Sequence, residues 1–181
     1  MHAWHDVTPG ENLPSVFTAV IEIPMGSSVK YELDKETGML KLDRILYSAV
    51  FYPANYGFIP HTLSPDGDPI DALVIARTPF VPGSVVRARP IGVLNLEDEH
   101  GGDEKLICVP VDSTFPYYTD VGERQDLPSI VLQQIQHFFT HYKDREPDKW
   151  LRVGHWGDAE EAKKVLMEAI ERGRAKAGRD A

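Results

Sequence analysis

Short apolar or alternating runs, cut by Pro and Gly, fill the first two-thirds of the chain. Phe17–Ile23 reads as a strand that stops at Pro24 and Gly26. Val29–Leu33 and residues 40–46 read as two more, joined by the turn signal Asp34-Lys35-Glu36-Thr37-Gly38. Further strands are predicted over 72–76, over 84–96 and, after an acidic loop, over 105–111. Tyr52 and Tyr56, flanking Pro53-Ala54-Asn55, fall in a loop. Closely spaced short strands of this kind predict a compact barrel or sandwich.

The last third changes period. After Asp126, Leu127 and Pro128, the apolar residues Ile130, Val131, Ile135, Phe138 and Phe139 recur at helical spacing. A second helix is predicted from Asp158, with Glu161 completing a capping box and Val165, Leu166, Ala169 and Ile170 forming the apolar stripe. The polar stretch 175–181 is expected to fray. With no repeat or linker-like shift in composition, residues 1–181 are expected to form one α+β, mainly β, domain with two C-terminal helices.

Charge and composition narrow the function. Against 28 acidic residues stand 19 basic ones, a formal net charge of −9. Nucleic acid as a main partner needs a basic face, so a single-strand-binding barrel is disfavoured. The one cysteine, Cys108, excludes an internal disulfide framework and, within a predicted strand, fits the core better than a nucleophile's role. Residues 1–12 lack the basic-then-apolar form of a secretory leader, and no apolar run approaches a membrane span. The expectation is a cytoplasmic protein with no membrane partner.

The candidate chemistry is carboxylate chemistry. Asp66-Gly67-Asp68-Pro69-Ile70-Asp71 sets three carboxylates in six residues, directly before the apolar Ala72-Leu73-Val74-Ile75. Such groups repel unless cations lie between them, and hard divalent metals prefer oxygen ligands. A solvated Asx-rich turn accounts for the hexapeptide alone about as well. A calcium EF-hand is excluded, because loop positions five, six and twelve would be Ile70, Asp71 and Arg77. A second acidic group, Glu97-Asp98-Glu99 with Asp103-Glu104, would crowd the same barrel mouth if both loops share one end. Lys30, which shares a strand face with Glu32, together with Arg44, Tyr52, Tyr56, Tyr142 and Lys143 supplies cationic and hydroxyl groups suited to phosphate. No Gly-rich P-loop accompanies them, which argues against a nucleoside triphosphatase.

Taken together these segments resemble the soluble inorganic pyrophosphatases of the first family, in their short bacterial form. The matching stretches are Val20-Ile21-Glu22-Ile23-Pro24, Lys30-Tyr31-Glu32, Asp43-Arg44, Phe51-Tyr52-Pro53-Ala54-Asn55-Tyr56-Gly57, the Asp66 hexapeptide, residues 98–105, and His137-Phe138-Phe139 through His141-Tyr142-Lys143. The resemblance implies a five-stranded, OB-like barrel with two flanking helices and a homohexamer built as a dimer of trimers. It implies hydrolysis of pyrophosphate by a metal-activated water, using several Mg2+ ions per site with Mn2+ or Zn2+ as substitutes.

Residue by residue, the resemblance makes Asp66, Asp71 and Asp103 ligands of the tightly held ion. Asp71 also helps hold a second ion, and Asp98 joins Asp103 around ions arriving with the substrate. Asp68 is implied as the general base. Lys30 and Tyr56 would hold the phosphoryl group under attack, and Arg44, Tyr142 and Lys143 the leaving phosphate. Glu22, Glu32, Tyr52, Glu99 and Lys105 are implied as supporting residues around that shell. His137 and His141, four apart on one helix face, offer either a zinc pair without a third ligand or, as the resemblance suggests, a subunit contact.

Overall fold

The computed structural model describes residues 2–180. A short turn of helix, α1 (Ala3–Asp6), leads to strands β1 (Phe17–Ile23), β2 (Val29–Leu33) and β3 (Leu40–Ile45). Next come β4 (Asn55–Phe58), β5 (Asp71–Val74), β6 (Val85–Asp98) and β7 (Gly101–Pro110). Helix α2 (Ser129–His141), strand β8 (Leu151–Gly157) and helix α3 (Ala159–Asp180) complete the chain.

The main sheet runs β1-β4-β5-β7-β6, and β6 pairs back onto β1. That pairing closes a five-stranded ring, which leaves no open edge among those strands. All its ladders are antiparallel except β5–β7, where Asp71 lies level with Lys105. Strand β8 extends the sheet from β6, and β2–β3 form a separate two-stranded hairpin. The OB-like barrel expected from the resemblance, with two helices after it, is the architecture observed.

Period-two alternation splits the apolar residues between two cores. Leu73 and Ile107 pack with Phe138 and Phe139 of α2, whereas Ala72, Val74, Leu106 and Cys108 pack with Ala162, Leu166 and Ile170 of α3. Both faces of β5 and β7 are therefore covered, which is why they read as continuous apolar runs. Cys108 is fully buried and donates to the Leu73 carbonyl, a core residue as expected.

Three local expectations are corrected. Tyr56 is in a strand, β4, not a loop. Its neighbours Asn55 and Gly57 have low strand propensity, and Asn55 is held by side-chain hydrogen bonds to Met25, Thr78 and Phe80. The acidic stretch 97–104 is mostly ladder: β6 and β7 stay paired out to Asp98–Gly101. Residues 175–180 continue α3 rather than fray, and Ala181 lies outside the described residues. Strands β4 and β8 and helix α1 were not predicted.

Glycine is dictated at position 57 by proximity. A Cβ there would stand 1.9 Å from the Val20 carbonyl oxygen across the β1–β4 ladder. Gly57→Ala should therefore cost at least about 2 kcal/mol, the scale of overpacking, although alanine usually improves on glycine in a strand. Denaturant unfolding measures this, and an unchanged midpoint would contradict it.

Candidate active site

A cavity of about 430 Å³ opens between the β2–β3 hairpin, the Asp66 turn, the tip of the β6–β7 hairpin and the segment after α2. Among the described residues, nine carboxylates and six lysine or arginine side chains line it. Such an excess of negative charge in a partly buried cleft is unfavourable without added cations. Gly67, at φ +94°, makes the turn that presents Asp66 and Asp68, and the Asp68 amide donates to Asp66 Oδ1 at 3.0 Å.

Lys105 occupies the centre. Its side chain is 5% exposed, and Nζ donates to Asp103 Oδ1 at 2.6 Å and to Asp71 Oδ2. Burial opposes its charge, but Asp103 and Asp71 outweigh it and hold the ammonium pKa well above the ordinary lysine value. Two carboxylates around one ammonium leave the trio one negative charge in excess. Burial first, and Asp103 after it, raise Asp71 above the usual carboxylate range even though Lys105 pulls the other way. The Tyr56 hydroxyl donates to Asp71 Oδ2 at 2.6 Å, fixing that carboxylate from a second side. Tyr52 does not reach the cavity; it packs behind Tyr56 and against Phe138.

Around this centre the other cations are each tied to carboxylates. Lys30 donates to Glu32 and, at 3.0 Å, to Asp43 Oδ2; its β-ladder partner Arg44 bonds Asp43 and, through Nε, Glu146 at 2.9 Å. Lys143, just past α2, reaches Asp98 at 2.9 Å and Glu99 at 3.5 Å. Burial would raise Asp98, but Lys143 and the His100 amide lower it overall. Tyr142 caps α2, stacks on Phe138 and lines the same cavity, its hydroxyl pKa raised by burial. Glu22 lies beneath the hairpin, where the Leu33 amide donates to it at 2.7 Å. Burial, reinforced by Asp71, pushes its pKa up to about 8.

All the predicted site residues except Tyr52 therefore line one cavity. Glu97 instead pairs with Arg152, and Glu104 does not line the cavity. Sequence reasoning gave no role to Asp43, Glu146, Lys149, Lys35 or Trp4. Glu146 meets Arg44 across 102 positions of chain, a pairing no local pattern reveals. Lys35 pairs with Asp68 at 2.6 Å, and its only local signal was a place in a turn.

The donor set suits a hard metal: carboxylates on rigid strands and one tight turn, with no sulfur ligand. Among the described residues, no three His, Cys, Asp or Glu side chains already stand as a metal-holding group. Lys105 lies between Asp71 and Asp103 instead. Asp66 is raised in pKa by burial first, then by Asp68 and Asp103, the unfavourable proximity that a bound cation would relieve. The residues fit such a group.

Residues 19–174 match the family described as inorganic pyrophosphatase. An inorganic pyrophosphatase of Gluconobacter oxydans is 56% identical over 91% of this chain and 95% of its own length. The solved structure of inorganic pyrophosphatase from Thermus thermophilus has a TM-score of 0.90 and 43% identity, covering 94% of this chain and 98% of its own. That of the Helicobacter pylori enzyme has a TM-score of 0.86 and 50% identity, covering 91% and 99%. Barrel, carboxylate cavity and likeness together define a hydrolase. The chain belongs to the inorganic pyrophosphatase family, in its soluble first type.

Glu22 gives a signed pH dependence. Its folded pKa, about 8, lies above the ordinary 4.5, so the folded state binds the extra proton between those values. Its contribution to stability is fully present below the lower value and is lost as pH rises through the upper one. In metal-free protein, Glu22→Gln should flatten the fall in stability between about pH 5 and pH 8, by at most about 1.4 kcal/mol per pH unit. Parallel slopes for the two proteins would refute the assignment.

Proposed function

We propose that residues 1–181 act as one Mg2+-dependent inorganic pyrophosphatase domain. The observation that carries this reading is the pairing of surplus carboxylates with a ring of cations at one barrel mouth. Asp66, Asp71 and Asp103 would hold the resident ion and Asp98 would join Asp103 around further ions, with Glu22, Glu32, Glu99 and Lys105 tuning charge beside them. Bound Mg2+, or Mn2+ or Zn2+ in its place, supplies Lewis acidity that lowers the pKa of a water and neutralises phosphoryl charge.

The chain's own residues do the rest. Lys30 and Tyr56 orient the phosphoryl group under attack, their hydrogen bonds to Glu32, Asp43 and Asp71 being exchanged for phosphate oxygens. Asp68, whose side chain is 70% exposed at the rim, takes the proton from the attacking water. As the water oxygen bonds to phosphorus, the bridging P–O bond breaks and its electron pair leaves with the second phosphate. Arg44, Tyr142 and Lys143 stabilise that departing charge. No covalent intermediate is needed.

A cytoplasmic hexamer, a dimer of trimers, belongs to the same reading. No helix among the described residues is long and apolar enough to cross a membrane. Support for assembly comes from an apolar groove lined by Val50, Phe51, Ile130 and His137, with Phe51 63% exposed. His137 and His141 lie ring to ring at 4.5 Å, outside the catalytic cavity, and His141 bonds Asp144 at 2.7 Å. Phe51→Glu should lower the mass seen by sedimentation; an unchanged mass would show that this groove is not the contact.

Phosphate release from pyrophosphate, with and without Mg2+ and with ATP as comparison, tests the activity. Asp68→Asn should reduce turnover by about 10²–10⁴-fold, the span of a general base, with no rescue by added Mg2+. Asp71→Asn should instead weaken metal affinity and recover partly as Mg2+ is raised. Equal rescue of both variants would make Asp68 another ligand rather than the base.

A further inference from the structure

The Asp68 side chain is 70% exposed, and its one ion-pair partner among the described residues is Lys35, itself 47% exposed. An exposed pair of flexible side chains contributes little to stability and does little to fix a carboxylate's direction. Here, however, the pair is braced by the start of the chain. Lys35 lies in the β2–β3 turn, where Asp34 Oδ1 accepts from the Glu36 and Thr37 amides at 2.9 Å and Gly38 adopts φ +70°. His2 Nε2 donates to the Lys35 carbonyl at 3.1 Å, and its ring presses so close to Gly38 that a Cβ there would meet it at 2.7 Å.

Trp4 completes the brace. Its indole stacks on His61 with centroids 6.3 Å apart, leans on Phe58 at 6.0 Å, and lies 6.0 Å from Lys35 Nζ while lining the cavity. One aromatic ring thus links the end of β4 to the ammonium that meets Asp68. The hairpin is a separate sheet, so its turn is not held over the cavity by the barrel's own ladders.

We infer that Trp4 and Lys35 are positioning residues for Asp68: Trp4 holds Lys35, and Lys35 holds the carboxylate in one direction at the rim. This rests on Asp68 being the general base. The chemistry needs no new group, only a catalytic oxygen kept within reach of the attacking water.

Steady-state kinetics at saturating Mg2+ test it, with melting curves taken alongside. Lys35→Met should lower kcat about tenfold, a modest misplacement of a reacting group, while KM for pyrophosphate changes less than about twofold. Lys35→Arg should recover most of the loss. Trp4→Ala should lower kcat by about threefold and Trp4→Phe by less, since a smaller ring keeps part of the platform. The double variant Trp4→Ala/Lys35→Met should be no slower than Lys35→Met alone, because Trp4 acts through the lysine. A raised KM with unchanged kcat would make Lys35 a substrate-capturing charge and overturn the inference. Multiplying losses in the double variant would overturn it too, as would full kcat in Lys35→Met. Asp68→Asn separates the two failures: if it keeps full kcat, the base assignment itself falls; if it is slow while Lys35→Met is not, only the positioning role falls.

Discussion

Everything at the barrel mouth is arranged around one ammonium between two carboxylates. Lys105 is level with Asp71 across the one parallel ladder of the ring and stands two residues from Asp103 on its own strand, so all three side chains share a face. Desolvation would remove a lone buried lysine's charge, yet here the neighbouring charges prevail and the ammonium stays protonated. The cost is passed outward. The trio remains negative: burial first, and Asp103 after it, raise Asp71, and Asp71 in turn reinforces the burial that raises Glu22 beneath it. A site built this way has an electrostatic preference for a divalent cation before any ligand geometry is considered.

That arrangement needs a closed barrel. The β1–β6 pairing shuts the ring, and Gly57 lets β4 lie so near β1 that no side chain fits between them. Asp71 and Tyr56, on adjacent strands β5 and β4, are thereby held at hydrogen-bonding distance without help from flexible loops. Carboxylates that must stay close despite mutual repulsion are best carried on paired strands, where moving one means breaking a ladder. The parts of the cavity wall outside the closed ring, the β2–β3 hairpin and the segment after α2, carry Lys30, Arg44 and Lys143 instead. On the proposed reading, those cations would exchange carboxylate partners for substrate.

How much of this was legible depended on whether a residue's role was local. The Asp66–Asp71 turn could be read because Gly and Pro punctuate it and the apolar β5 follows at once. Strands β1, β2 and β3 were legible from alternation and their turn. Strand β4 was not, since Asn55 and Gly57 owe their places to side-chain hydrogen bonding and to close backbone approach, neither of which leaves a periodic trace. The acidic tip of β6–β7 looked like a loop because charge masks a ladder, yet Asp98 and Asp103 reached the cavity as expected. Glu146 and Lys35 were missed for one shared reason: their partners are distant in the chain, and a lone charge beside a turn carries no local mark of what it faces.

The residues that were missed also show how the site divides its labour. Asp43 and Glu146 hold Arg44 from two sides, and Lys149 reaches Glu146 from a third. A guanidinium held in this way presents its remaining donors in one direction, so less side-chain entropy is lost when an anion arrives. Lys105 is held just as firmly but lies deeper, 5% exposed and engaged by both Asp71 and Asp103. The cations therefore form two sets. One is Lys105, which keeps Asp71 and Asp103 from repelling each other apart; the other, Lys30, Arg44 and Lys143, is oriented by carboxylates that on the proposed reading it would exchange for phosphate. Both sets are neutralised by carboxylates in the fold, and on the proposed reading release of the second set to substrate would let an acidic protein bind an anion as highly charged as pyrophosphate.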